Sequence, residues 1–299
     1  MVDAPPPKKM LYLLLTSLLW GFSFGLVKHC LGDLDPSFVA LIRLTLSLLI
    51  FLPFLRRVPV RLALILLLLG AIQFGLMYLF YIRSFQYLAS YKIALCTIFT
   101  PLFVTLLNDL QSRRFHRLFL LTALLAIIGT AIPLYDARGD GLTTRELLTG
   151  FMLIQLSNLC FAFGQLHYHR LMVNHPQLRD HNVFAYLYIG AAIVAGLAML
   201  LFQPMHPITF NLSATHISVL LYLGILPSGV GFFLWNLGAR RVNAGLLAIL
   251  NNAKIPIGIL ASLLLFHENV ALIPLLIGSG ILVIALFLNE RYRQKKLEI

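Results

Sequence analysis

Long apolar runs separated by short polar breaks organise this chain from end to end. Met10–Val27 and Val39–Leu55 are the first two, and the pattern continues almost to the C-terminus. Each run is about the length needed to cross a hydrocarbon core of roughly 30 Å. Backbone in lipid has no water to bond with, so each run is expected to be a helix that closes its own hydrogen bonds. The breaks place helices near 10–29, 36–55, 62–83, 91–109, 116–135, 147–170, 183–203, 215–238, 244–266 and 271–290. The shortest break lies between the third and fourth, where Gln86, Ser90, Tyr91 and Lys92 mark a tight turn. The expected fold class is all-α: a polytopic membrane protein with ten transmembrane helices.

Composition agrees. Only 11% of the 299 residues are charged and 60% are hydrophobic, whereas a soluble domain carries about 25% charged residues. The net charge of +12 does not point to nucleic acid, because the basic residues sit in short clusters between apolar runs, as membrane topology requires. With the N-terminus inside, sixteen lie on the inner side, among them Arg56, Arg57, Arg113, Arg114, Arg240 and Arg241. Four (Lys28, Lys92, Arg138, Arg145) lie outside, and Arg43, Arg83 and Lys254 fall within spans, which accounts for all 23. That asymmetry predicts two cytoplasmic termini and an even number of spans. Cys30, Cys96 and Cys160 are scattered and suggest neither a disulfide framework nor a metal knuckle.

Ten spans divide into two sets of five, and the halves echo each other. Phe22–Leu26 resembles Phe161–Gln165. Gly70 and Gly75 match Gly224 and Gly229, Tyr81 aligns with Trp235, and Pro101 matches Pro256 one residue out of register. Halves with five spans each have opposite orientations, so residues 1–145 and 146–299 are expected to be two inverted repeats enclosing a substrate site near the bilayer midplane. Pro101 and Pro256 each free a carbonyl one turn earlier, and such breaks are tolerated where they line a cavity.

Ser17–Phe24, Arg43, Thr100-Pro101-Leu102 and Trp235-Asn236 with Pro256 resemble the drug/metabolite transporter superfamily, specifically its EamA branch of ten helices in two five-helix repeats. Gln155–Asn158, Ser228–Asn236 and Asn251–Pro256, with Gly70–Gln73 and Ile82–Ser84, are similar more narrowly to biotin-transporting members of that branch. The Asn251-Asn252 pair is the more specific signal. The resemblance implies vitamin uptake across a bacterial inner membrane, with biotin or a similar small anion as substrate.

The polar residues in the spans each have two readings. Arg43 lies halfway along its helix, where a basic side chain costs roughly 2.5–3.5 kcal/mol. It either clamps a substrate carboxylate or ties to helix carbonyls or to Asp35. Lys254 either takes part in coupling the substrate to a proton or snorkels to the inner interface. Asn158, Asn251, Asn252, Gln73 and Asn236 could meet a ureido ring with neutral donors and acceptors or bond between helices. Trp20, Phe24, Tyr78, Tyr81, Phe163, Tyr168 and Trp235 are candidate apolar walls or lipid-facing aromatics. Arg83, Pro101 and Pro256 are candidate gating positions. His167, His169, His175 and His181 are spaced too loosely for a metal site and read as a solvated loop.

The spans contain no phosphate-binding glycine loop, and no acid–base pair at membrane depth that would suggest an enzyme. No cofactor is expected. The reading is therefore a secondary transporter importing biotin by alternating access with a proton's assistance. The alternative is an exporter of amino acids or related small metabolites; the buried basic residues and the Asn pair argue for a small polar anion over lipophilic drugs. Reporter fusions test the topology: green fluorescent protein at either terminus should fluoresce, and alkaline phosphatase at either terminus should be inactive.

Overall fold

The computed structural model describes residues 7–112, 117–134, 143–202, 212–239, 247 and 250–297, and all regular structure among them is helical. Seven helices are long and apolar enough to cross a membrane: α1 (Met10–Cys30), α2 (Pro36–Phe54), α3 (Val60–Ser84), α4 (Ser90–Gln111), α6 (Thr144–Asn174), α7 (Asp180–Leu201) and α8 (Ala214–Ala239). Three shorter apolar helices accompany them: α5 (Leu121–Leu134), α9 (Leu250–Leu264) and α10 (Leu272–Leu288). Leu68, Leu200, Ile273 and Leu276 lie on outward faces and are exposed. Apolar surface on that scale would be a liability in water and is a match for lipid.

Local sequence explains several helix starts. Asp35 caps α2, accepting from the backbone N–H of Ser37 at 2.8 Å and of Phe38 at 3.0 Å, with Pro36 in the first turn. Thr143 and Glu146 form a capping box at the head of α6.

The helices nearest the centre are irregular. Helix α4 breaks at Thr97–Ile98, one turn before Pro101. Proline cannot donate to the Thr97 carbonyl, which accepts from Thr100 N–H at 3.1 Å instead. A turn at Ala253 precedes Pro256 in α9 in the same way. Helices α3 and α8 each contain a wider π-helical segment, Ala71–Leu76 and Gly224–Gly231. These are the positions of the matched glycines. The proline pair and the glycine pair thus mark corresponding irregularities in the two halves of the chain.

One sequence expectation changes. Lys92, expected in an outer turn, lies in the first turns of α4 and is only 2% exposed. The turn itself is formed by Phe85–Ala89. The inner basic residues Arg113, Arg114, Arg240 and Arg241, and outer Arg138, lie outside the described residues.

Helix α7 packs along α2 and α3, α6 along α3 and α4, α1 against α8 and α9, and α5 pairs with α10. The α3–α7 crossing is the tightest. A Cβ at Gly70 would strike the Leu187 backbone, and one at Gly190 would strike the Leu67 carbonyl. Backbone atoms cannot yield as a side-chain tip can, so overpacking here is expensive. Gly70→Ala and Gly190→Ala should each cost about 1–3 kcal/mol, measured as earlier thermal unfolding in detergent. Gly196→Ala, which meets only Leu41 at 3.8 Å, should be close to neutral.

Candidate substrate cavity

A small cavity lies among seven helices. Helix α1 contributes Trp20, Ser23 and Phe24, α2 Arg43, and α3 Met77, Tyr78 and Tyr81. Helix α4 adds Thr97 and Thr100, α6 Ile154, Ser157, Asn158 and Phe161, α8 Phe232 and α9 Lys254. Both proline breaks reach the cavity: Thr97 and Thr100 flank one, and Lys254 follows the other.

Arg43 is almost fully buried. Its Nε donates to Ser228 Oγ at 3.1 Å and its Nη2 to Tyr78 OH at 3.0 Å. The guanidinium carbon also sits 4.6 Å from the centre of the Tyr78 ring, in cation–π range. Nη1 has no hydrogen-bond partner among the described residues. Asp35 is engaged at its own helix cap, so the expected alternative tie between Asp35 and Arg43 is not made. The guanidinium is held by neutral groups and keeps donors in reserve.

The irregular segment of α8 is what makes Ser228 available. Winding into a π-helix leaves carbonyls that the helix itself does not fully serve, and side chains from neighbouring helices supply donors. Ser47 Oγ reaches Gly224 O at 2.9 Å, Trp20 Nε1 reaches Pro227 O at 3.0 Å, and Thr16 Oγ1 reaches Gly231 O at 3.3 Å. Tyr188 OH donates to Ser228 O, and Ser228 Oγ lies 2.7 Å from both Leu223 O and Tyr78 OH.

Lys254 is also buried. Its Nζ donates to Asn251 Oδ1 at 3.2 Å and lies 5.0 Å from the centre of the Trp20 ring. An aromatic face is worth about 0.5–2 kcal/mol to a cation. Trp20 is locked edgewise by its bond to Pro227 and packs on Trp235, with ring centres 5.2 Å apart. The snorkelling alternative does not describe this geometry.

Asn158 lies across the cavity on α6. Its Nδ2 donates to Cys96 O at 2.9 Å and to Gln155 Oε1 at 3.2 Å, and its Oδ1 accepts from Thr100 Oγ1 at 3.2 Å. Both amide hydrogens are engaged, which fixes the carbonyl's direction and leaves it one acceptor site.

Seven of the fourteen candidate contacts therefore line one cavity: Trp20, Phe24, Arg43, Tyr78, Tyr81, Asn158 and Lys254. The other seven, Asn236, Phe163 and Tyr168 among them, are not on its wall. Trp235 is the layer behind Trp20. Asn251 reaches the cavity only through Lys254. Asn252 is partly buried on the turn before Lys254. Gln73 is fully buried in the π-helical segment of α3, with both amide atoms unpartnered, and packs where a Cβ on Gly164 would fall. Of the gating candidates, Arg83 is exposed near the end of α3, Pro101 is buried and Pro256 faces outward. Sequence reasoning missed Ser23, Thr97, Thr100, Ser157, Phe161 and Phe232 as wall residues. Thr97 and Thr100 could have been found from the Pro101 break. Nothing in an apolar helix distinguishes Phe232 from a lipid-facing phenylalanine.

Ser228→Ala removes the acceptor for Arg43 Nε, a partner of Tyr78 OH and a donor to Leu223 O at once. It should lower stability by about 1–3 kcal/mol, the cost of leaving buried polar groups unpaired, read as earlier melting in detergent. Ser218→Ala, which removes one exposed hydroxyl contact with the α8 backbone, should leave melting unchanged.

Comparison with known proteins identifies the family. The model of the EamA-like transporter family matches the chain twice, over residues 7–135 and 148–290. Proteins named biotin transporter from Salmonella typhimurium and Escherichia coli are 38% and 37% identical to it over 290 residues, covering 95% of this chain and 93% of each relative. A probable biotin transporter from Pseudomonas aeruginosa is 38% identical over 290 residues, covering 96% of this chain and 99% of its own. A crystal structure 18% identical in sequence superposes with a TM-score of 0.66, covering 95% of this chain and 98% of its own, and supports the fold. This chain is a multi-pass membrane protein that belongs to the EamA-like transporter family.

Proposed function

We propose that this transporter takes up biotin across a bacterial inner membrane by alternating access between two inverted five-helix repeats, with a proton entering alongside the substrate. Transport of a small metabolite follows from the family. The substrate rests on the relatives named biotin transporter, and on one observation above all: two buried basic residues, Arg43 and Lys254, share a cavity with no carboxylate among the described residues that line it. A site of that kind favours an anion. Biotin supplies a carboxylate for the guanidinium and ammonium. Its ureido N–H groups suit the oriented carbonyl of Asn158 and the hydroxyls of Ser23 and Thr100. Trp20, Phe24, Phe161 and Phe232 offer apolar surface to its fused rings and chain.

Importing a monoanion against an inside-negative potential costs roughly 2.3 kcal/mol per 100 mV. A proton carried with it cancels that charge. Lys254 is the group we assign to this role, because it faces the substrate while only Asn251 bonds its ammonium.

Direct binding of labelled biotin to the purified protein tests the reading. Arg43→Gln and Lys254→Ala should each weaken binding at least about tenfold, the loss of one charge-assisted hydrogen bond. Asn252→Ala, off the wall, should change it less than about threefold. Unaltered affinity in both basic-residue variants would overturn the site. Uptake into proteoliposomes tests the proton. An imposed gradient, acid on the biotin side, should accelerate the wild type and leave Lys254→Arg unresponsive, because arginine keeps its charge. A wild type indifferent to the gradient removes the proton from the scheme.

A further inference from the structure

Away from the cavity cations, the molecule has one acid that joins three separate parts of the fold. Glu268 lies in the loop after α9, and its side chain is only 7% exposed. Oε1 accepts from Ser90 N–H at 3.0 Å and Ser90 Oγ at 2.7 Å, and lies 2.9 Å from His29 Nε2. Oε2 accepts from Tyr91 N–H at 3.3 Å. The carboxylate thus ties the loop to the first turn of α4 and to the end of α1.

The loop is itself pinned. Glu268 N–H donates to Ser262 O at 3.0 Å, and Ser262 Oγ lies 2.7 Å from Ser90 Oγ. His267 takes a φ of 49°, in the left-handed region that histidine enters more readily than most side chains. The His29 ring stacks on Phe266, with centres 4.9 Å apart.

These bonds lie where α1 finishes and α4 begins, beyond the cavity residues Phe24 and Thr97 of the same two helices. Every residue of the half-helix Ser90–Cys96 is buried, and it packs on both α1 and α9. Ala94 and Phe24 would touch a Cβ placed on Gly258, Ile257 one on Gly21, and Phe266 one on Gly25. Beyond the break at Thr97–Ile98, the second half-helix, Phe99–Ser112, packs mainly on α6. The two halves of α4 therefore belong to different contacts: one is part of the seal against α1 and α9, the other part of the wall with α6.

We propose that Glu268 is the bar of a gate at this end of the cavity, and that its bonds to Ser90, Tyr91 and His29 release each time the cavity opens there. The proposal rests on the transport reading, because only a protein that alternates has to open this end. A carboxylate suits the task. Several hydrogen bonds converge on one side chain and can be lost together when a single loop moves. Hydrophobic packing alone would have to be pulled apart contact by contact. The end of the cavity that carries Glu268 also carries Lys28, whose Nζ donates to Phe85 O at 2.6 Å. Lys28 holds the turn before α4 against α1 from the other side.

The test uses the full chain with Cys30, Cys96 and Cys160 replaced, and Ser23→Cys as a reporter in the cavity wall. A membrane-impermeant maleimide is applied from the face that carries Glu268. Glu268→Ala should raise the labelling rate roughly tenfold by shifting the population towards the state open at that face. Glu268→Gln should give a smaller rise, since its carboxamide keeps an acceptor for Ser90 but turns N–H towards N–H at Tyr91 or His29. An unchanged rate in Glu268→Ala overturns the gate. A second experiment leaves Glu268 in place. Ser90→Cys with Ser262→Cys brings two thiols within reach of a disulfide. Oxidation should stop uptake and slow labelling from that face, and a reductant should restore both. Undiminished uptake by the fully crosslinked protein would also overturn the gate. Labelling does not depend on substrate. A gate that responds as expected in a protein that neither binds nor carries biotin would sink the substrate reading and leave the gate standing.

Discussion

A backbone polar group inside a hydrocarbon layer has no water to bond with, and every feature of this cavity follows from how the chain meets that constraint. Regular helices satisfy it within themselves. This protein departs from regular helix in α3, α4, α8 and α9, and all four departures lie beside or close to the cavity. The departure in α8 shows how it is met. Side chains from α1, α2 and α7 donate to its carbonyls, and Ser228 on α8 itself serves another. The same side chains build the site. Trp20 is fixed by its bond to Pro227 and so presents a ring face to Lys254. Ser228 is drawn into the network and so holds Arg43.

The second constraint is charge. Burying Arg43 and Lys254 is unfavourable, and an adjacent carboxylate would be the obvious compensation. Such a pair would also cancel the positive potential of the cavity. Here the partners are neutral: a serine and a tyrosine for Arg43, an asparagine for Lys254, and an aromatic face for each. Dipoles and ring quadrupoles offset part of the desolvation cost without removing the positive potential. The carboxylate of Glu268 is placed instead away from the cavity, where it meets backbone donors of α4 and His29. The acid of the proposed gate is thus kept apart from the two basic residues of the cavity.

Small residues complete the arrangement. Gly21, Gly25 and Gly258 let α1, α9 and the first half of α4 approach closely. Gly70 and Gly190 do the same for α3 and α7. Lipid gives helices no hydrophobic reason to associate, so close approach through small residues carries much of the packing.

Much of this was legible in the chain itself. Runs of about twenty apolar residues can be satisfied only as helices in lipid, so the helices and the outward leucines were determined locally. Pro101 and Pro256 announced the breaks in α4 and α9, because a missing N–H is a property of the residue and not of its surroundings. Arg43 and Lys254 stood out because a charge within an apolar run has few acceptable places to be. What only the tertiary structure decided was which face each side chain occupies. Helices here are apolar all round, so no amphipathic stripe separates Phe232 at the cavity from a phenylalanine in lipid. Trp235, Gln73, Asn251 and Asn252 carried good chemistry but fell behind the wall, since a helix turns by about 100° per residue and neighbours face different ways. Glu268 gave no signal at all. Its partners lie 178 and 239 residues away, and pairing across that distance exists only once the helices have packed.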